Sequence, residues 1–265
     1  MTMLAPDRLD RRALALIRLL DAFGRPVAGP VRIEGARTIA KGPGEHAVLA
    51  ASGLEAYAAS FDEPPATPAV ASRHILLDLT PAAAEAAPRR FDLRLPRDPN
   101  PAQAGQAGSL FRAAEVEMLP TPRIVQSGSA CLVRVSVVRQ DDGRTVENAL
   151  VRGRSDDGRF AARALTDARG EACLVFPSLP LAFPGAGANV EPDLAARVAV
   201  TVDPAVARFH APAAVPLAAA AAAARTTGHP DPDALGAVAA DFASAAPVRL
   251  AAGRQPSLAI EWQAP

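Results

Sequence analysis

Apolar and polar residues alternate along much of this chain, and the alternation is clearest between residues 130 and 176. Short alternating runs in that stretch are separated by Asp-Asp-Gly, a second Asp-Asp-Gly and Asp-Ala-Arg-Gly. An apolar residue at every second position is typical of a half-buried β-strand, and Asp-Gly is typical of a hairpin turn. The stretch therefore predicts an antiparallel β-meander.

The same alternation predicts strands throughout the rest of the chain. In the first half they fall at residues 13–20, 31–34, 47–51, 56–61, 74–79 and 91–95. In the second half they fall at residues 131–137, 149–151, 160–164, 172–176, 198–202 and 258–262. Residues 81–87 follow Thr80, a residue type that caps helices, and they are predicted to form a short helix.

An alanine-rich region interrupts the strand pattern in the second half. Alanine is the strongest helix former, so residues 217–225 are predicted to form a helix. Asp233 is predicted to cap a second helix, in which Leu235, Val238 and Phe242 recur at helical spacing. Because a strand follows at residues 258–262, the two helices are interpreted as an insertion at about residues 211–246.

The length and the composition predict two domains. A first β-sandwich with an N-terminal arm is expected over residues 1–97, and a second β-sandwich over residues 110–265. Residues 98–109, which begin with DPNPAQAGQAG, have the composition of a linker. The tetrapeptide GRPV at residues 24–27 is echoed by GRTV at residues 143–146, which indicates that the two halves are related.

Acidic and basic residues balance, with 28 of each. No long-range field would therefore draw the protein to nucleic acid or to an anionic membrane. Lys41 is the only lysine, and the excess of arginine is interpreted as the codon bias of a GC-rich genome rather than as a phosphate site. Arg18 interrupts the apolar run near the N-terminus, so we expect synthesis in the cytoplasm without a signal peptide and without membrane insertion.

The cysteines are predicted to lie on opposite faces of their sheet. Cys131 shares its parity with the apolar residues Val133 and Val135, so it should point inward. Cys173 shares its parity with Glu171 and should point outward. A disulfide is therefore not expected, and both thiols should be reduced.

The sequence indicates no catalytic, cofactor-binding or metal-ligating residue. The histidines, which are far apart, are His46, His74, His210 and His229. His229 lies near Asp231 and Asp233, but this cluster is interpreted as a proline-stiffened turn with a helix cap, because a closed metal site needs further ligands. The acidic pairs at 141–142 and 156–157 are interpreted as hairpin residues. We therefore expect no cofactor and no enzymatic activity.

Turn motifs in both halves resemble a known kind of sandwich domain. In the first half, DAFGRPV at residues 21–27 precedes VRI at residues 31–33. In the second half, GRTV at residues 143–146 is followed by TDARG at residues 166–170 and an apolar strand. These residues resemble carboxypeptidase regulatory-like and related bacterial Ig-like domains, which are transthyretin-like or immunoglobulin-like β-sandwiches. The resemblance implies a mainly β fold with two such antiparallel sandwiches, although the first copy lacks a clear Thr-Asp-x-x-Gly turn.

Domains of this kind are usually spacers or docking units, and they also decorate phage tails and contractile injection particles. The resemblance thus implies a non-enzymatic structural protein that contacts other proteins, as an accessory component of a phage tail-like or contractile injection particle that is released with it. The alternative is a small-molecule or carbohydrate-binding module, with a cleft between the domains or beneath the helical insertion. A hydrolase assembled from distant residues is a third hypothesis.

Overall fold

Strands dominate the structure, as the alternating pattern predicts. The computed structural model describes residues 13–59, 67–125, 128–180, 193–211, 228–239, 242 and 245–263. Mainly antiparallel sheets in these residues form two β-sandwiches, one in each half of the chain. The predicted N-terminal arm and the predicted helix at residues 217–225 lie outside the described residues, so the helical insertion as a whole stays a prediction.

The first sandwich packs a sheet of four strands on a sheet of three. Its strands are β1 (Ala15–Leu20), β2 (Val31–Glu34), β3 (Ala36–Gly42), β4 (Glu45–Ala51), β5 (Arg73–Pro81), β6 (Arg89–Leu95) and β7 (Ala114–Glu117). The larger sheet has the order β3-β4-β1-β7, and the smaller has the order β2-β5-β6. Inward side chains of both sheets, such as Ile17 and Leu77, form one buried core.

The second sandwich also has two sheets. Its strands are β8 (Cys131–Arg139), β9 (Thr145–Glu147), β10 (Leu150–Ser155), β11 (Ala161–Leu165), β12 (Glu171–Phe176), β13 (Leu194–Thr201), β14 (Arg208–His210), β15 (Ala246–Leu250) and β16 (Ser257–Trp262). One sheet has the order β11-β10-β13-β15. The other has the order β12-β8-β9-β14, and β16 also pairs with β8. The predicted meander thus divides between the two sheets, which share the core around Val135 and Val151.

A helix replaces one predicted strand in the first half. Residues 56–61 are predicted to be a strand, but helix α1 (Glu55–Ala59) occupies all of the described part of this range. Tyr57 packs into the first core, and the Glu55 carboxylate accepts a hydrogen bond from Gly53 N at 3.0 Å. One deeply buried side chain in a single turn suits a short helix better than an alternating strand. The strand prediction is wrong here.

The helix predicted at residues 81–87 is also wrong, because the end of β5, bends, a turn and an isolated bridge occupy this range. Ala82 N donates a hydrogen bond to Pro30 O at 3.0 Å, and Ala87 N donates to Leu119 O at 2.7 Å. These backbone donors bind neighbouring segments and so cannot form the hydrogen bonds of a helix.

Helix α2 (Pro232–Val238) lies between β14 and β15 in the chain order. Its N-cap is Asp231, whose carboxylate accepts hydrogen bonds from Asp233 N and Ala234 N at 3.0 and 3.2 Å. The prediction that Asp233 caps this helix is therefore wrong by two residues, because Pro232 takes the first helical position. In the described part of the chain, no helix is both long enough and apolar enough to cross a membrane.

The segment expected to be a linker is a closed loop that begins and ends at the first sandwich. Asp98 N donates a hydrogen bond to Gly108 O at 3.0 Å, and Leu110 N donates to Asp98 O at 2.8 Å. The buried Arg97 closes the loop by donating to Ser109 O at 2.9 Å. Strand β7, which lies beyond the expected boundary, pairs with β1. The sheet of the first half therefore extends to Glu117, and not only to residue 97.

Both sandwiches share one pattern of strand pairing. The first strand of each, β1 or β8, has an antiparallel neighbour, β4 or β12. Each first strand also has a parallel neighbour from the end of its half, β7 or β16. This agreement supports the relation between the halves that the repeated tetrapeptide indicates.

Candidate functional site

Four charged side chains meet where helix α2 lies between the sandwiches, and we call them the joint cluster. Arg89 of β6 donates hydrogen bonds to the Asp233 carboxylate and to Glu117 O, the latter at 2.7 Å. Arg163 of β11 donates to Asp233 Oδ1 at 2.8 Å and to Glu117 Oε2 at 2.6 Å. The Glu117 carboxylate of the first sandwich is thus bound by an arginine of the second. The Asp233 carboxylate of α2 is bound by one arginine from each sandwich.

Burial and charge pairing act in opposite directions on the joint cluster. The Arg89 side chain is only 1% exposed, whereas the Asp233 side chain is 47% exposed. Burial by itself would raise the pKa of the Asp233 carboxyl, but the charges and hydrogen bonds of Arg89 and Arg163 lower it below its usual value. Burial likewise works against the charge of Arg163, yet bonds to Glu117 and Asp233 raise its pKa. Asp233 and Arg163 are therefore both charged at neutral pH.

Apolar contacts surround the joint cluster. One buried cluster consists of Leu119, Leu150, Leu165 and Leu235. These leucines come from the segment after β7, from β10, from β11 and from α2. A second cluster lies on the outer face of the β12-β8 pair and contains Ile124, Leu132, Cys173 and Val175. The turn after β1 contributes Ala22 and Phe23 to this second cluster. Residues of both halves therefore share apolar surface at two places.

The segment before α2 is bound to the first sandwich. Arg90 N donates a hydrogen bond to Pro230 O at 2.8 Å, and Thr80 Oγ1 lies 3.2 Å from His229 Nε2. Burial lowers the pKa of His229, so its imidazole is neutral at pH 7. Helix α2 is consequently anchored through its preceding residues as well as through Asp233.

A cleft of about 610 Å³ opens beside the joint cluster. One wall is the run of small residues at 80–88, and the facing wall is polar and belongs to the second sandwich. The polar wall includes Arg134, Glu147, Asn148, Asp167 and Arg208. A ligand-binding module, the alternative hypothesis from the sequence, is expected to have its cleft between the two halves.

A buried carboxylate supports the polar wall of the cleft. The Glu147 side chain is only 4% exposed, and its Oε2 lies 2.5 Å from His210 Nε2. Arg208 Nη1 lies 3.8 Å from Glu147 Oε1. A buried carboxylate is costly without hydrogen-bond or charge partners, so His210 and Arg208 stabilise the wall. Spacing along the sequence carries no signal for this group, because about sixty residues separate Glu147 from its partners.

The other histidines lie apart from one another. His46 is buried in β4, and burial lowers its pKa. His74 is more than half exposed, and its Nδ1 lies 2.6 Å from Asp92 Oδ2. Among the described residues, no group of three or more histidines, cysteines and carboxylates is placed so that it could hold a metal ion.

Acidic residues bind the hairpin turns that the sequence assigns to them. Asp142 Oδ1 accepts a hydrogen bond from Arg144 N at 3.2 Å. Asp157 Oδ1 accepts hydrogen bonds from Ser155 Oγ at 2.6 Å and from Arg159 N at 3.1 Å. These bonds lower the pKa of Asp157 to about 2, and the bond from Ser155 has the largest effect. The prediction that the acidic pairs are turn residues is confirmed.

The cysteines are free and lie on opposite faces of the β12-β8 pair, as predicted. Cys131 belongs to the main core, while Cys173 packs under Ile124 on the other face. Sequence parity identifies the outer face for Cys173 but gives no sign that this face is covered. Burial raises the pKa of both thiols, that of Cys173 to about 11.

Comparisons with known proteins give no family. No family model matches the chain, and no curated protein is similar to it. Among solved structures, the Bacillus anthracis TIE protein aligns over 96% of this chain and 34% of its own, with 8% identity and a TM-score of 0.25. The chain thus spans about a third of the length of that protein. A similarity at this level supports no statement about fold or function.

Proposed function

We propose that this chain is a non-enzymatic structural protein that docks other proteins and holds two surfaces at a fixed separation. The observation that carries the proposal is the joint cluster, in which Arg89, Glu117, Arg163 and Asp233 bind across the two sandwiches. Independent modules on a flexible linker would not need a nearly fully buried arginine at their boundary.

A rigid pair of sandwiches suits a spacer or a docking unit. The charged side chains of the joint cluster bind one another, so these groups serve to hold the two sandwiches together. The apolar clusters around Leu235 and Ile124 add contact area that would oppose bending between the halves. The outward faces of the sheets then keep a constant relative orientation, which a partner in a larger assembly can recognise.

We further propose, from the resemblance to carboxypeptidase regulatory-like and bacterial Ig-like domains, that the assembly is a phage tail-like or contractile injection particle. The chain would be made in the cytoplasm and be released as part of the particle. This assignment depends on the turn motifs at residues 21–27 and 143–170, and it is independent of the joint cluster.

Affinity isolation from native cells, followed by mass spectrometry and sedimentation, tests the docking function. The wild-type chain should be recovered with a partner protein in constant ratio and in a fast-sedimenting fraction. A variant with Arg89→Ala and Asp233→Ala should lose the partner if the fixed separation matters. An Arg32→Ala variant, which removes an exposed ion pair with Glu34, serves as the control. Recovery of the wild-type chain only as a free monomer at every growth stage would contradict the proposal.

The cleft beside the joint cluster favours a second candidate, a small-molecule or carbohydrate-binding module. Its volume of about 610 Å³ falls within the range of about 300–1,000 Å³ that is usual for ligand sites. Asn148 and Arg134 offer hydrogen-bond donors on its wall. Calorimetric titration with a panel of mono- and oligosaccharides tests this candidate, with Arg134→Ala as the variant that should weaken binding. Absence of heat for every sugar would count against a carbohydrate site.

A further inference from the structure

One outer face of the second sandwich carries arginines on every strand. This face belongs to the sheet of order β11-β10-β13-β15, and its outward positions alternate with the buried ones. The outward arginines are Arg152 and Arg154 on β10, Arg163 on β11, Arg197 on β13 and Arg249 on β15. The carboxylates that bind arginines of this face come from outside the strands of this sheet.

The register places like charges beside one another. Arg154 is the direct cross-strand partner of Arg197. Arg249 pairs with Ala195, which is two residues from Arg197 on the same side of β13, so it lies at a diagonal position within reach of long side chains. Like charges that face each other across a ladder are destabilising. The arrangement therefore favours the binding of negative charge.

Neighbouring groups compensate only part of this charge. Arg163 belongs to the joint cluster, Arg152 lies 4.9 Å above the ring of Phe242, and Arg197 Nε lies 3.4 Å from Asp156 Oδ1. Arg154 and Arg249 are exposed, and no carboxylate of the described residues lies within 4 Å of either guanidinium. Arg154, Arg197 and Arg249 form what we call the arginine face.

We propose that the arginine face binds an acidic segment of a partner protein. A guanidinium presents a planar fork of donors that matches a carboxylate, and such pairs give direction as well as attraction. Outward neighbours of the arginines are small, such as Ala161 opposite Arg154 and Pro247 opposite Arg197. An extended acidic segment could thus approach the sheet without meeting bulky side chains. This inference rests on the proposed docking function and names the chemistry of its partner.

Protein carboxylates fit this face better than nucleic-acid phosphates. The chain has no net charge, so it lacks the long-range attraction that gives nucleic-acid binding its affinity. Single-stranded nucleic acid is usually bound by aromatic side chains on which the bases stack. The outward strand residues beside the arginine face are Ala161, Ala195, Ala199 and Pro247, and the ring of Phe242 is already covered by Arg152.

Fluorescence anisotropy with the full chain and labelled probes tests the proposal. The probes are a short capped peptide in which glutamate alternates with serine, the same peptide with glutamine for glutamate, and a short oligothymidylate. We expect the glutamate peptide to bind, and Arg154→Glu with Arg197→Glu to weaken it about tenfold or more. Arg37→Glu, at an exposed position of β3 in the first sandwich, is the matched control and should bind as the wild type does.

The outcomes separate this inference from the docking function. Equal binding of the glutamate and glutamine peptides, or tighter binding of the oligothymidylate, would overturn the acidic-partner proposal. Thermal unfolding of each variant checks the fold, and Arg249→Gln gives a milder change on the same face should the double reversal not fold. The affinity isolation from cells can also be made with the Arg154→Glu, Arg197→Glu variant. If that variant retains the partner as the wild type does, the acidic-partner proposal is overturned but the docking function is not.

Discussion

Gly44 and Gly170 occupy equivalent positions in the two sandwiches. Gly44 O accepts a hydrogen bond from Leu19 N, and Gly170 O accepts one from Val137 N, both at 2.8 Å. Both glycines have left-handed backbones, with φ of +66° and +70°. A Cβ at Gly44 would lie 2.6 Å from Leu19 O, and one at Gly170 would lie 2.5 Å from Val137 O. In each half, a later segment of the chain therefore packs closely against the first strand, β1 or β8, at a glycine.

The last residue of each repeated tetrapeptide lies close to one of these glycines. A Cβ at Gly44 would lie 3.0 Å from Val27 N, and one at Gly170 would lie 3.3 Å from Val146 N. Val27 and Val146 are the last residues of GRPV and GRTV. Gly44 thus does in the first half what the glycine of TDARG does in the second. The first copy lacks the Thr-Asp-x-x-Gly letters, but it keeps the glycine that the geometry requires.

Alanine at either glycine should destabilise its sandwich. We expect Gly44→Ala and Gly170→Ala to lower the free energy of unfolding by about 3 kcal/mol each, from backbone strain and from the clash with a carbonyl oxygen. Gly53→Ala is the control, since Gly53 also has positive φ but open space around it, and it should cost only about 1 kcal/mol. Urea unfolding measures both. Equal losses at Gly44 and Gly53 would show that the close approach is unimportant.

Breaking the joint cluster should destabilise the chain more than breaking a surface ion pair. We expect Arg89→Ala to cost about 3 kcal/mol, because it removes the buried donor to Glu117 O and leaves Asp233 with Arg163 alone. Arg32→Ala removes an ion pair whose side chains are 74% and 54% exposed, and it should cost less than about 1 kcal/mol. Thermal and urea unfolding compare the two variants. Similar losses would mean that the joint cluster contributes little to stability.

Stability should fall in mild acid partly through His229. Burial lowers the pKa of His229 in the folded chain, so the unfolded chain binds the proton more readily. The contribution of the neutral imidazole is full above the ordinary histidine pKa of about 6.5 and is lost as the pH falls through the lower folded value. We expect the stability of His229→Asn to depend less on pH between these values. Urea unfolding over that range measures the difference, and parallel curves for both proteins would contradict the prediction.

The native thiols should resist alkylation. Cys131 and Cys173 are buried, and burial raises the pKa of both thiols, so little thiolate is present or accessible at pH 8. We expect iodoacetamide to modify neither residue in the native chain and both in urea. Mass spectrometry of the intact protein counts the adducts. Rapid modification of Cys173 without denaturant would show that the segment around Ile124 does not cover it.

Periodicity predicts most of the strands that have one buried face, although it misses β3 and β15. It also misses strands whose burial does not alternate. The alternation in β1, β5 and β8 is plain because every second side chain enters a core. Strand β9 is buried throughout, and β14 is half-buried throughout, so neither has an alternating pattern. Strand β7 has only four residues, and its parallel pairing with β1 is a long-range contact that no local signal announces.

The candidate site was less predictable than the fold. Asp233 is recognisable in the sequence as a residue near a helix start, and this is why it is predicted as a cap. Its actual role depends on Arg89 and Arg163, which come from two different sandwiches. Likewise the arginine face follows from strand register rather than from spacing along the chain. Both features arise from tertiary pairing, which one sequence does not encode in a local pattern.

The distance between the two sandwiches tests the central claim, that they work as one rigid body. Spin labels can be attached at Arg37→Cys on β3 and Ser257→Cys on β16, both exposed positions, since the native thiols should stay unlabelled. Pulsed electron paramagnetic resonance then gives the distance distribution. We predict one narrow distribution for the otherwise native chain and a broader one after Arg89→Ala with Asp233→Ala. A broad distribution with the joint cluster intact would contradict the account.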